Sequence, residues 1–209
     1  MARSSGTESI LAVGAHPDDI ELGCGATLAA HRKSGHQVHM LVMTRGTASF
    51  AANRSIQRAT EQQNASDELG ADLWWGSSID CQIIDGYETI QTIENVINSV
   101  HPDQVYVHNP DDTHQDHRII SVATLSAARR VPSVLYYQSP SSLHFDPSVF
   151  VDVSNTLDQK IAALACHESQ KSTGVLGVGQ MRANARYWGH FARCQYAEPF
   201  TPARLLWSL

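Results

Sequence analysis

The sequence predicts an α/β fold, a single Rossmann-like domain with a mostly parallel sheet and helices on both faces. Three observations point to it. Short apolar runs such as Ile10-Leu11-Ala12-Val13 and Gln37 to Thr44 read as strands buried on both sides. Stretches with helical spacing alternate with them, two closed by Gly35 and Gly70 in the position of helix C-caps. Finally, segments rich in His and Asp come directly after two of the apolar runs, where open parallel sheets gather their ligands.

In order, residues 9–15 read as the first strand and Gly23–Ser34 as a helix through Leu28, Ala29 and Arg32. Gln37–Thr44 is the second strand, Arg54–Leu69 a polar-faced helix, and Asp72–Trp75 a third strand. Glu88–Val100 reads as a helix, Val105–His108 as a strand, and His117–Arg130 as a helix following a Pro-Asp-Asp-Thr turn. Val134–Gln138 is a further strand. Ser154–Gln170 reads as a long helix, with Leu157, Ile161, Leu164 and Ala165 on one stripe. No repeat, low-complexity segment or linker interrupts the chain, so residues 1–209 are expected to form one domain.

With 42% apolar and 17% charged residues the composition is that of a soluble globular protein. A formal charge of −6 argues against nucleic acid or an anionic membrane surface as partner. No apolar run is long enough for a membrane helix and the first one shows no cleavage site, which points to a cytoplasmic protein. Cys24, Cys81, Cys166 and Cys194 form no C-x-x-C pair, which suits reduced thiols better than disulfides or a thiolate zinc site. The sequence leaves room for a homo-oligomer.

The two chemical clusters are "GAHPDDIELGCGA", after the first strand, and "HNPDDTHQDH", after a later one. Parallel strands let the two meet in space although roughly a hundred residues separate them. A catalytic zinc takes three protein ligands and leaves one position for water. His16, one of the two aspartates and His117 would supply that set. Adjacent residues point in different directions, so one of Asp18 and Asp19 can ligate while the other takes a proton from water. His114 and His117, three apart, can share a helix face, and Asp116 can hydrogen-bond an imidazole nitrogen. Against this stands a plain reading: Pro-Asp-Asp is a common turn, and Asp18 or Asp19 could merely cap a helix.

Taken with Arg58 and Glu61 in "RATEQQNASDELG", the late "KIAALACHESQ" and "AEPF", these motifs resemble the LmbE-like, or PIG-L, zinc-dependent N-deacetylases over most of the chain. The resemblance implies His16, Asp19 and His117 as metal ligands and Asp18 as general base. It implies that His114 stabilises the oxyanion or protonates the leaving amine, and that Asp116 orients His114. It further implies Zn2+ as cofactor, with Fe2+ compatible with the same donors, and a small N-acetylated amino sugar or conjugate as substrate. Departures at Ile20, Ala26 and Thr47 bear on substrate preference and leave the metal set intact.

Arg45, Arg58 and His167 are the expected substrate-binding residues. Each has an alternative: Arg58 could pair with Glu61 on a helix surface, and His167 could close a helix end beside Gln170. Trp74 and Trp75 are expected to pack or to lie at an interface, and His31, His36 and His39 to carry no chemistry. The expected activity is hydrolysis of an acetamide. The rivals are removal of another acyl group, including from an antibiotic precursor, and a non-catalytic metal- or sugar-binding module.

Overall fold

The structure is a computed structural model that describes residues 6–46, 53–173 and 177–206. Its elements run β1 (Ser9–Gly14), α1 (Asp19–Lys33), β2 (Gln37–Val42), α2 (Asn53–Leu69), β3 (Asp72–Trp75), α3 (Tyr87–Val100) and β4 (Gln104–His108). Then follow α4 (Gln115–Ala127), β5 (Ser133–Tyr137), β6 (Val149–Asp152), α5 (Leu157–Ala165), a 3-10 turn (Glu168–Thr173), α6 (Val178–Ala192) and β7 (Ala197–Arg204). They build one seven-stranded sheet in the order β3-β2-β1-β4-β5-β7-β6. The first five strands are parallel to one another; β7 runs antiparallel to both β5 and β6. Among the described residues no helix is long and apolar enough to cross a membrane.

The unbroken apolar character of β1 follows from its central place, because its alternate residues enter two different cores. Ile10 and Ala12 pack with Leu28, Met40, Tyr106 and Ala163 on one face. Leu11 and Val13 pack with Leu41, Ile93, Val105 and Ile120 on the other. All four β1 residues are fully buried, and each large one contributes about 1.5–3 kcal/mol by leaving water. The strand is thus fixed on both sides, and its carboxyl end is a rigid place to hang chemistry.

Two helices, α1 and α5, depart most from the sequence reading. α1 begins at Asp19 rather than Gly23, so the His-Pro-Asp-Asp motif is itself the helix entrance. The helix is broken at Cys24 (φ −145°, ψ 15°), and the freed N–H groups of Ala26 and Thr27 donate to the buried carboxylate of Glu198 at 3.2 and 2.7 Å. α5 is shorter than Ser154–Gln170. Ser154 is turned back onto Asp152 at the front, and Glu61 captures the N–H and hydroxyl of Ser169 behind it. The sequence reading does not anticipate β6, β7 and α6. β7 carries Pro199 and Pro202, which argue against a strand. It tolerates them because β6 pairs with its first half and β5 with its second, so each proline has a partner strand on one side only.

Candidate active site

The strand order reverses between β1 and β4, the place where open sheets of this kind bind ligands. Both motifs emerge there. His16, Asp18 and Asp19 follow β1; His114, Asp116 and His117 begin α4, after β4.

Asp19 is the centre of the cluster. Its Oδ2 accepts the His16 N–H at 2.7 Å and lies 3.3 Å from His16 Nδ1, while its Oδ1 lies 3.4 Å from His117 Nε2. Each histidine is backed by a carboxylate on its other nitrogen. His16 Nε2 meets Asp116 Oδ2 and Asp80 Oδ1, both at 3.1 Å, and His117 Nδ1 meets Asp112 Oδ2 at 3.3 Å. Metal-binding histidines characteristically carry such a carboxylate on the nitrogen turned away from the ion. Among the described residues three groups present donor atoms within 4.8 Å of one another: His16/His114/His117, Asp19/His108/His117 and His16/Asp80/Asp116. The expected trio of His16, Asp19 and His117 spans the first two through the contacts just given.

Electrostatics favour a cation here. Four buried carboxylates, Asp19, Asp80, Asp112 and Asp116, surround three histidines. Burial works against charge on His16, but hydrogen bonds to Asp116, Asp19 and Asp80 push it up to about 12. His117 is likewise opposed by burial and lifted to about 9 by Asp19 and Asp112. Burial disfavours the charged form of Asp19, yet His117 and His108 outweigh it and hold the carboxyl well below its usual range. The N/O donors, the backed histidines and the surplus of negative charge all fit a zinc or iron(II) ion.

Asp18 heads α1 in the left-handed region (φ 89°, ψ −22°), and its side chain makes no capping bond. The helix-cap reading therefore does not describe its side chain, whose carboxylate faces Arg58 rather than the helix N–H groups. Such a backbone costs about 1–3 kcal/mol, although Asp tolerates it better than most residues. α2 holds it in place: the Asp18 N–H donates to Gln62 Oε1 at 3.1 Å, and Arg58 donates to the Pro17 and Gly46 carbonyls, both at 2.7 Å. An Arg58 nitrogen also stands 3.5 Å from Asp18 Oδ2. Burial, then the charge of Asp19, pushes the Asp18 carboxyl up to about 7; Arg58 and His167 oppose the rise. That is the range a general base uses.

His114 is the N-cap of α4, and its Nδ1 accepts the Asp116 N–H at 3.2 Å. A backbone N–H can only donate, so the ring proton sits on Nε2 and the ring is neutral. Burial, then the charges of His16 and His117, lowers its pKa in agreement. This corrects the expected role of Asp116. Its carboxylate is engaged by His16 and by the Cys81 N–H at 2.8 Å, and it orients His114 only through the backbone. The His114 ring lies 4.7 Å from that of His16 and 4.6 Å from that of His117.

Residues 11–128 match the family described as GlcNAc-PI de-N-acetylase, PIG-L. The chain belongs to the PIG-L family. It is 35% identical over 182 residues to the uncharacterized deacetylase YaiS of Escherichia coli (strain K12), covering 81% of this chain and 95% of that one. It is 25% identical over 218 residues to the diacetylchitobiose deacetylase of Thermococcus kodakarensis, covering 91% and 81%. Among solved structures, the conserved protein TT1542 from Thermus thermophilus superposes with a TM-score of 0.85 at 30% identity, covering 97% and 98%.

Seen in this PIG-L chain, two expected substrate contacts become supports. The Arg58 guanidinium is buried and spent on Pro17 and Gly46, while Glu61 holds Ser169 rather than Arg58. Gly46, at φ +62°, leaves room for that guanidinium: a Cβ there would lie 2.1 Å from the Arg58 nitrogen. His167 is fully buried, with Nε2 3.4 Å from Glu21 Oε1. Arg45 is exposed at the end of β2 and stacks over the Trp75 ring at 3.7 Å, so it stays available to a ligand. Thr47 lies outside the described residues.

Asp80, Asp112, His108 and Gln62 carry no assigned role in the sequence reading, whereas Glu21 is there expected to support the site from behind. Asp112 and His108 lie inside the second motif, where their chemistry is the available signal. The signal for Asp80 is fainter: an isolated acid in the loop after β3, which also ends at the ligand side of the sheet. His108 is buried and lowered to about 4, chiefly by burial and then by His117, and it stacks on the His117 ring at 3.9 Å.

Proposed function

We propose that this protein is a metal-dependent hydrolase that removes the acetyl group from an N-acetylglucosamine-type amino sugar or its conjugate. One observation carries the reading: Asp18 and His114, neither of them in the expected metal set, stand with His16, Asp19 and His117 where β1 ends and α4 begins, the His114 ring 4.7 Å from that of His16 and 4.6 Å from that of His117. Deacetylase relatives, among them one named for diacetylchitobiose, support it.

His16 Nδ1, an Asp19 oxygen and His117 Nε2 would hold zinc or iron(II). When bound, such an ion polarises a carbonyl and makes water a better nucleophile. Asp18 takes a proton from the attacking water as its oxygen bonds to the acetamide carbon. His114, with its proton on Nε2, donates to the carbonyl oxygen as negative charge gathers there. When the C–N bond breaks, the proton held by Asp18 passes to the nitrogen, which leaves as a neutral amine, and the acetic acid formed gives its own proton to solvent and departs as acetate. Arg45, exposed past the end of β2, is the candidate to contact the remainder of the substrate.

The test is a panel of N-acetylated hexosamines and conjugates incubated with metal-loaded and chelator-treated protein, with free amine and acetate both measured. Equal release of amine and acetate from the loaded protein alone is expected. Amine released with a different acid would select the rival acyl group. Binding without release would mean a non-catalytic module.

A further inference from the structure

We propose that Gln62 is the positioning residue of Asp18, and that a buried chain from His167 through Glu21 and Gln62 fixes the left-handed backbone from which the base acts. The inference rests on the hydrolase reading for its kinetic consequence, and on geometry alone for its structural one.

The chain has a forced direction. His167 Nε2 lies 3.4 Å from Glu21 Oε1, and the same oxygen accepts from Gln62 Nε2 at 2.5 Å. A carboxylate offers only acceptors, so the Gln62 amide must turn its NH2 towards Glu21. Its Oε1 then faces the other way and accepts the Asp18 N–H at 3.1 Å. Gln62, Glu21 and His167 are each fully buried, so no water competes for the Gln62 hydrogen bonds or screens the His167–Glu21 contact. Ser66 keeps the glutamine in place, standing 3.4 Å from the Gln62 nitrogen one turn further along α2.

The bond to Gln62 acts on the one residue of the motif that holds a positive φ. Gln62 holds the peptide that leads into the left-handed Asp18, on the side where the α1 hydrogen bond from Leu22 to the Asp18 carbonyl does not reach, and its loss lets that peptide turn and the strained φ relax. Arg58 acts beside it, gripping the Pro17 carbonyl one residue earlier. α2 therefore sets the direction of the Asp18 carboxylate while the turn after β1, the start of α1 and α4 carry the expected metal donors, and substitutions in α2 should separate turnover from metal binding.

The experiment compares full-length wild type with Gln62→Met, which keeps the volume but removes the hydrogen bonds of the Gln62 amide to Asp18, Glu21 and Ser66. Crystals of the metal-free proteins should show Asp18 near its φ of 89° in wild type and at negative φ in the variant. Turnover per bound metal should fall about tenfold to a hundredfold, with KM within about twofold. If Gln62→Met does not fold, Glu21→Gln is used, since it allows the Gln62 amide to reverse without loss of packing; the same split is expected, smaller in size. A purely structural role would lower thermal stability and metal content together and leave turnover per bound metal unchanged. That result, or an Asp18 still left-handed in the variant, overturns the proposal. If wild type releases no amine from any substrate, the hydrolase reading fails, and the Asp18 backbone in the two crystals decides the positioning role by itself.

Discussion

Asp116 and His16 are joined across α4 and the β1 motif by a 3.1 Å contact between Oδ2 and Nε2, which leaves the opposite ring nitrogen turned to Asp19. The pairing selects the tautomer of His16 that can give Nδ1 to a metal, and the carboxylate raises the basicity of that nitrogen. Asp116→Asn keeps the shape and removes the charge. Metal affinity should fall by about tenfold to a hundredfold, read by titration against a competing chelator. An unchanged affinity would show that His16 uses another nitrogen or is not a ligand.

The two aspartates of the motif should separate cleanly. Asp18→Asn is expected to retain its metal and to lose activity in kcat by about a hundredfold or more, since an amide cannot accept the proton from water. Asp19→Asn should lose the metal. Elemental analysis beside steady-state kinetics reads both, and the reverse pattern would exchange the two roles.

The central sheet and both chemical motifs were legible because they depend on local facts. β1 is continuously apolar since both its faces are covered, and His16, Asp18, Asp19 and His117 are chemical residues at a strand end. What escaped was set at long range. Arg58 looks like a surface residue of a polar helix, and only the approach of Gly46 and Pro17 buries it. Asp116 stands two residues from His114, which makes a direct pairing natural to expect, yet His16 lies nearer its carboxylate in space. Glu198 in "AEPF" gives no sign that it closes a break in α1, since that break exists only once β7 is seated against the helix.

His114 yields a prediction on pH. Its pKa is lowered, so the ring is neutral above the ordinary histidine range and protonation on the acid side would break its bond from the Asp116 N–H. A fall in kcat/KM at high pH therefore arises elsewhere and should persist in His114→Ala. That variant should keep its metal and lose about a hundredfold in kcat. Loss of the basic limb in the variant would instead assign the proton to a charged His114.

Glu198 predicts a stability effect far from the chemistry. Its buried carboxylate accepts from Lys160 Nζ at 2.6 Å as well as from Ala26 and Thr27, and Lys160 also donates to the Leu22 carbonyl at 2.7 Å. Glu198→Ala strands a buried ammonium and two amide groups, and should cost about 3–5 kcal/mol. The double variant Glu198→Leu/Lys160→Met should lose less than the single one, because the stranded charge is gone. Urea midpoints measure both, and a single variant as stable as the double would show that the ammonium finds water.

His31 should make the fold sensitive to acid. Its ring is packed against Tyr106, with Nε2 2.9 Å from the phenol oxygen, and burial, followed by the charge of His36, lowers its pKa from 6.5 to about 4. Between those values the unfolded chain binds the proton and the folded one does not, so stability is fully present above pH 6.5 and declines as pH falls towards 4. The shift corresponds to about 3 kcal/mol at most. His31→Gln keeps a polar group beside Tyr106 and removes the titration. The stability difference between the variant and wild type should therefore swing towards the variant as pH is lowered from 6.5 to about 4, then hold constant. Parallel stability curves for the two proteins across that range would show that the ring takes up its proton without leaving the fold.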